Sequence, residues 1–156
     1  MYGFERKVKF KTFTWILETI DMQEAREILT QGKPWPDRYT YVPALRIGNM
    51  VWLSGTTGTD ETGTITAPGD IVEQTRQIFR KFDALLKAAG GSCNDIVQTH
   101  DFFVTTENYA GTADVRREFF TTARPTSSGV KVAALLRKDA LIEISAMAVI
   151  GSAPAA

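Results

Sequence analysis

The chain is 156 residues long, 44% hydrophobic and 23% charged, which suits one domain with a sizeable core. Eighteen basic and eighteen acidic residues cancel, so no global positive field draws nucleic acid or an anionic membrane surface. A single cysteine, Cys93, and a single histidine, His100, exclude an internal disulfide, a Cys-based zinc cluster and a multi-histidine metal site.

Residues 1–38 differ in character from the rest and are expected to form an appendage. The opening MYGFERKVKFK has basic residues but no apolar h-region behind them, so no signal peptide is expected. No apolar run approaches the roughly 20 residues that span a bilayer. With one cysteine and no metal centre, the expected setting is the reducing cytoplasm. Lys7–Ile16 alternates β-branched and aromatic residues in part and reads as an edge strand or arm. Asp21 and Glu24 form a capping-box pattern that predicts a short helix to about Thr30, stopped by Gly32 with Pro34 and Pro36 beyond it.

A regular domain is expected over residues 39–150. Tyr39–Ile47 and Met50–Ser54 flank Gly48-Asn49, a turn-forming pair, and predict a β-hairpin. A polar loop follows, and Thr64–Thr66 is a candidate short strand. Ile71–Ala89 carries the strongest helical pattern: Ile71, Ile78, Phe82, Leu85 and Leu86 share one face, and Gly90-Gly91 end it. Cys93 lies in the following loop, with no basic cluster to activate it. Asp95–Val104 predicts a strand and Asn108–Thr121 a second helix, closed before Pro125. Gly129–Leu135 and Leu141–Ile150 predict two more strands, joined as a hairpin through Arg137-Lys138-Asp139-Ala140. The tail at 151–156 is expected to fray. Helices separated by strands predict an α+β fold, one sheet with both helices on one face.

The last strand holds the clearest chemical clue. Its two faces are both mostly apolar, which predicts burial on both sides. Glu143 sits near its middle. An isolated ionised carboxylate there is costly, so Glu143 must be paired, hydrogen-bonded, protonated or turned into a polar cleft.

Four stretches together resemble the YjgF/RidA family: GNMVWLSG at 48–55, KAAGGSCNDIVQT at 87–99, the Phe119-Phe120 pair, and VKVAALLRKDALIEISAMAV at 130–149. The match covers residues 39–150 and leaves out the appendage. The resemblance implies a chorismate-mutase-like single mixed sheet with two helices on one face, assembled as a homotrimer with ligand clefts between subunits. It further implies hydrolysis of reactive imines or enamines to ketoacids and ammonia, without metal or organic cofactor. On it, Glu143 falls at the glutamate that positions the attacking water, Tyr41 at a cleft-lining tyrosine, and Ser54-Gly55 at the cleft floor.

The chain also departs from the family pattern. The carboxylate-binding arginine is replaced by Ser127 and an asparagine of the second helix by Ala113, so the resemblance is to an arginine-lacking branch. Serine reproduces neither the charge nor the bidentate geometry of arginine. The expected substrate-binding set is therefore Tyr41, Ser54, Gly55, Ser127, Ser128 and Gly129, with Arg124 or Lys131 as a replacement cation. Glu143 is the expected catalytic residue, and His100 is a second candidate, since an imidazole moves protons near neutral pH. Two functions stay open: an enzyme hydrolysing or tautomerising an imine, enamine or enol, and a non-catalytic trimer binding a small metabolite. A ribonuclease role, attached to parts of the family, finds no basic-aromatic stripe here.

Overall fold

The computed structural model describes residues 25–154. Six strands form one sheet in the order β1-β2-β3-β6-β4-β5: β1 (Glu27–Leu29), β2 (Ala44–Ile47), β3 (Met50–Thr57), β4 (Ile96–Phe103), β5 (Thr126–Lys131) and β6 (Ile142–Val149). All neighbours are antiparallel except β4 and β5, which run parallel. Helices α1 (Ile71–Ala88) and α2 (Thr112–Phe119) form the helical layer.

The strongest helical pattern folds as expected, for reasons its ends make plain. Asp70 caps α1 by accepting from the backbone N–H of Val72 and Glu73 at 2.9 and 3.0 Å. At the other end Gly90 takes φ +80°, and the N–H groups of Gly90 and Gly91 return to the carbonyls of Lys87 and Leu86. This is a Schellman closure, which needs the left-handed conformation glycine allows. Ile71, Ile78, Phe79, Phe82 and Leu86 are at most 2% exposed and pack on Val51, Ile142 and Ile144 of the sheet. Each such side chain contributes about 1.5–3 kcal/mol of burial. Gly58 lets helix and sheet approach, since a Cβ there would lie 2.7 Å from the Cα of Gln74.

The β2–β3 hairpin turns at Gly48-Asn49, with Gly48 at φ +59°. The expected strand at Thr64–Thr66 reduces to a single bridge between Thr59 and Ile65. The second helix is shorter than its pattern, a 3₁₀ turn at Tyr109–Gly111 running into α2.

Four expectations need correction. The final hairpin does not form: β4 lies between β5 and β6 and takes hydrogen bonds from both. The Arg137–Ala140 tetrad is instead part of a crossing connection, pinned by Val132 N–H to Phe103 O at 2.9 Å and Val104 N–H to Leu141 O at 3.0 Å. Glu27–Leu29 is a strand on the edge of β2, where a helix to about Thr30 was predicted. Pairing satisfies the open edge of β2 and buries Leu29 to 4% exposure, which a single helical turn would not do. The Asp21 capping box and the Lys7–Ile16 strand lie outside the described residues. The tail is tied as far as Ala153, because buried Asp95 accepts from the N–H of Gly151 and Ala153 at 2.9 and 3.2 Å.

Finally, β6 is buried on one side only within a single chain. Ile142, Ile144, Ala146 and Ala148 lie under the helices, while Glu143, Ser145, Met147 and Val149 are half-buried on the other face. Both helices pack on the same side of the sheet, so the second apolar face carries Trp52, Phe102 and Val130 exposed.

Candidate functional site

An open groove of about 1500 Å³ lies beside the β3–β6 seam. Tyr41, Ser54, Gly55 and Glu143 all line it, so four of the expected site residues converge. The β3–β6 register shifts between Leu53 and Thr56, which leaves Ser54 and Gly55 at an irregularity in the ladder. Irregularities of this kind re-aim side chains and recur beside active sites. Ser54 donates its hydroxyl to Val42 O at 2.6 Å, so it holds the loop segment ahead of β2 against β3.

Glu143 lies over the bare face of Gly55. A Cβ at residue 55 would stand 2.6 Å from Glu143 Oε1, so the glycine is what gives the carboxylate its place. Glu143 makes no ion pair among the described residues. It also lines a second hollow of about 290 Å³, walled by Phe102, Val132, Ala134, Leu135 and Leu136. A carboxylate placed thus, polar on one side and apolar on the other, can orient water or carry a proton.

The other candidates lie elsewhere. His100 shares the helix-free face with Glu143: it pairs with Ser145, and Phe102 pairs with Glu143, which makes the two diagonal neighbours about 7–8 Å apart. His100 does not line the groove. Ser127, Ser128 and Gly129 are on β5, two strands from β6 and so roughly 10 Å away. Ser127 Oγ accepts from Thr99 Oγ1 at 2.9 Å, and a Cβ on Gly129 would meet Tyr109 Oη, so both are turned toward the helical layer. Ser128 stands beside His100 on the open face. Arg124 is exposed ahead of β5, and Lys131 ends that strand; neither lines the groove. Within one chain the structure therefore brings together Tyr41, Ser54, Gly55 and Glu143, and separates them from the β5 set.

Asp101, one residue past His100, faces the helices. Its Oδ2 accepts from Tyr109 Oη at 3.0 Å and pairs with Arg116, and the residue is 1% exposed. Burial, and then the Asp101 charge, push the Tyr109 phenol up to about 12. Cys93 is buried and its thiol is pushed up to about 12 by desolvation, which keeps it an unreactive packing residue. No cluster of three or more His, Cys, Asp or Glu that could hold a metal occurs among the described residues.

Three residues escaped the sequence reading, two that line the groove, Lys81 and Arg137, and one buried next to it, Gln74. Gln74 is fully buried on α1; its Nε2 donates to Ala67 O (2.9 Å) and Asp139 O (3.1 Å), and its Oε1 accepts from Leu141 N–H at 2.8 Å. It thereby ties the connection before β6 to the helix. A glutamine inside an apolar helical stripe was the available signal. Lys81 Nζ donates to Thr57 O at 2.7 Å and Thr59 Oγ1 at 2.8 Å. Burial, with Arg137 adding to it and Asp60 opposing, pushes its ammonium down to about 8. Arg137 reaches across the groove to Gly63 O. On the rim, Trp35, Tyr39 and Tyr41 pack with centroid separations of 4.9 to 5.8 Å, and Trp35 Nε1 donates to Tyr41 O at 2.7 Å.

A single mixed sheet with two helices on one face, and a carboxylate at an irregular strand pair, defines a class that the comparisons resolve. The endoribonuclease L-PSP family model matches residues 35–150. A 3-aminoacrylate deaminase RutC of Acinetobacter baylyi is 36% identical over 121 residues, 78% of this chain and 94% of that protein. A 2-iminobutanoate/2-iminopropanoate deaminase of Dermatophagoides farinae is 33% identical over 129 residues, 83% of this chain and 99% of its own length. Among solved structures, the Rid-family protein YyfA of Yersinia pestis superposes with a TM-score of 0.71 at 30% identity, covering 81% of this chain and all of that one. The chain belongs to the endoribonuclease L-PSP family, the YjgF/RidA family of the resemblance. Among the described residues no helix is long and apolar enough to cross a membrane.

Proposed function

We propose that the chain is a Rid-type enzyme that hydrolyses a reactive imine, or its enamine tautomer, with Glu143 handling the water. The observation that carries this reading is the Glu143 carboxylate, without an ion pair among the described residues, beside Gly55 in a large groove. Glu143 accepts a proton from water as the oxygen attacks the C=N carbon. The proton passes to nitrogen, the C–N bond breaks, and ammonia leaves a carbonyl product. For an enamine, protonation at the distal carbon comes first and generates the imine. The deaminase names of the two relatives support this chemistry. The reaction consumes only water, and the neutral charge balance favours a small-molecule substrate over RNA.

The proposal includes a homotrimer in the cytoplasm. The helix-free face presents Trp52, Phe102, Val130 and Leu136 to solvent in one chain, more apolar surface than an isolated sheet face carries comfortably. Covering that face with further copies buries these residues. It also offers the route by which Ser127, Ser128, Gly129, Arg124 and His100 of one copy approach the Glu143 groove of another. The second reading, a trimer that binds a metabolite without turning it over, draws on Ser127 standing where the family arginine would be.

An ammonia-release assay on short acyclic imines generated in situ separates the two. Wild type releases ammonia above the uncatalysed rate, and Glu143→Ala does not. Equal rates in the two proteins overturn the assignment. Ligand-dependent thermal stabilisation with no rate enhancement selects the binding trimer.

A further inference from the structure

We propose that the Lys81 amine is a modification site that takes up carbon dioxide as a carbamate, with Arg137 as the neighbouring cation. The site is separate from Glu143. Lys81 extends from α1, on the helix-covered side of the sheet, and its chemistry does not depend on imine hydrolysis.

The amine is held in a way that suits its neutral form. Lys81 Nζ donates to Thr57 O at 2.7 Å and Thr59 Oγ1 at 2.8 Å, and it makes no ion pair among the described residues. Two acceptors satisfy both N–H groups of a neutral amine, whereas an ammonium has a third donor to place. The lone pair then takes the remaining position, and Lys81 lines the open groove. Burial, with the Arg137 charge adding to it and Asp60 opposing, pushes the ammonium down to about 8. Near pH 7 about one such amine in ten is neutral, against about one in three thousand for an ordinary lysine. Desolvation and a neighbouring cation are what make a lysine nucleophilic.

Arg137 belongs to the same small cluster. Residues 59–63 form a tight loop, closed by Asp60 N–H to Thr64 O at 2.9 Å and Gly63 N–H to Asp60 O at 3.2 Å. Lys81 grips its Thr59 end and Arg137 its Gly63 end. Arg137 spends one of five donors there and has no ion pair among the described residues. The acids of the loop are engaged: Asp60 Oδ1 accepts from Thr62 and Thr64, and Glu61 pairs with Lys33. In the reaction the Nζ lone pair forms a bond to the carbon of carbon dioxide as one C=O π pair moves to oxygen. The nitrogen then releases one proton to solvent. The N–H that remains can keep Thr57 O, and the Thr59 hydroxyl can turn to donate. An anion replaces a cation beside Arg137, so repulsion becomes attraction.

Trapping with triethyloxonium, which ethylates carbamates irreversibly, tests this on the full chain in isotopically labelled bicarbonate, with peptide mass spectrometry locating the label. Near neutral pH, Lys81 should carry at least about tenfold more label than Lys87, whose ammonium is favoured by Asp83. The α-amino group, with an ordinary pKa of about 7.7–8.0, labels as well and serves as the positive control. Arg137→Ala should lower the Lys81 label at least about fivefold and leave the α-amino label unchanged. Arg137 is exposed, so the fold should tolerate its loss. Lys81 labelled no more than Lys87 while the α-amino group reacts overturns the proposal. Equal Lys81 labelling in wild type and Arg137→Ala overturns it too. Imine hydrolysis is read from ammonia release, so either reading can fail without the other.

Discussion

Two carboxylates on neighbouring strands point to opposite sides of the sheet, one built into the packing and one to which the proposed chemistry is assigned. Asp101 of β4 points under the helices, almost fully buried, against Arg116 and Tyr109. Glu143 of β6 points the other way, half-buried and without an ion-pair partner among the described residues, into the groove. Asp101 and Glu143 have opposite surroundings because β4 and β6 alternate about the same helical layer. A buried acid held by an arginine and a phenol is a structural part. An open acid with neither retains its capacity for protons and water.

Breaking the Asp101 side should produce the largest change in stability. Arg116→Met leaves the Asp101 carboxylate buried and unpaired, and urea unfolding should show a loss of about 3–5 kcal/mol. Ammonia release per folded molecule should survive. A variant as stable as wild type would remove the contrast between the two acids.

Gln74 joins the two sides, and its loss should be intermediate. Gln74→Leu strands Leu141 N–H and Asp139 O without their partners, at about 1–3 kcal/mol of unfolding free energy. It should also lower ammonia release per folded molecule, because the connection leading into β6 and Glu143 loses its tether. Unchanged release per folded molecule would mean that Gln74 serves packing alone.

The smallest expected effect is in pH dependence. Lys81 is pushed from 10.5 down to about 8 in the folded protein by burial, with Arg137 adding to this and Asp60 opposing it. A depressed ammonium disfavours folding while both states are protonated, and the penalty lifts as pH rises above about 8. Between pH 8 and 9, wild type should therefore gain on the order of 1 kcal/mol relative to Lys81→Met. The comparison must be differential, because Cys93 and Tyr109, whose pKa values are raised to about 12, lose stability at higher pH. Parallel pH profiles for the two proteins would contradict a depressed Lys81.

Much of this arrangement was legible in the residues. The α1 stripe, its Asp70 entry and Gly90 exit, the Gly48 turn and the odd position of Glu143 all follow from local periodicity and turn chemistry. What was not legible depends on partners distant in the chain. Nothing local in 129–150 announces that β4 inserts between the two last strands, so sequence adjacency suggested a hairpin. Glu27–Leu29 is too short for any period to register, and only the free edge of β2 makes it a strand. Lys81 and Arg137 look like solvated charges until the fold places them across one groove. Ser127–Gly129 were grouped with Glu143 by resemblance, and in one chain they lie apart.

The paired acids also define the most direct test of the whole account. Glu143→Gln keeps the shape of the side chain and removes only its charge and basicity. The account predicts that ammonia release falls about 10²–10⁴-fold, while the unfolding free energy stays within about 0.5 kcal/mol of wild type. Full activity in a protein that has lost stability would contradict it, because Glu143 would then be the structural acid.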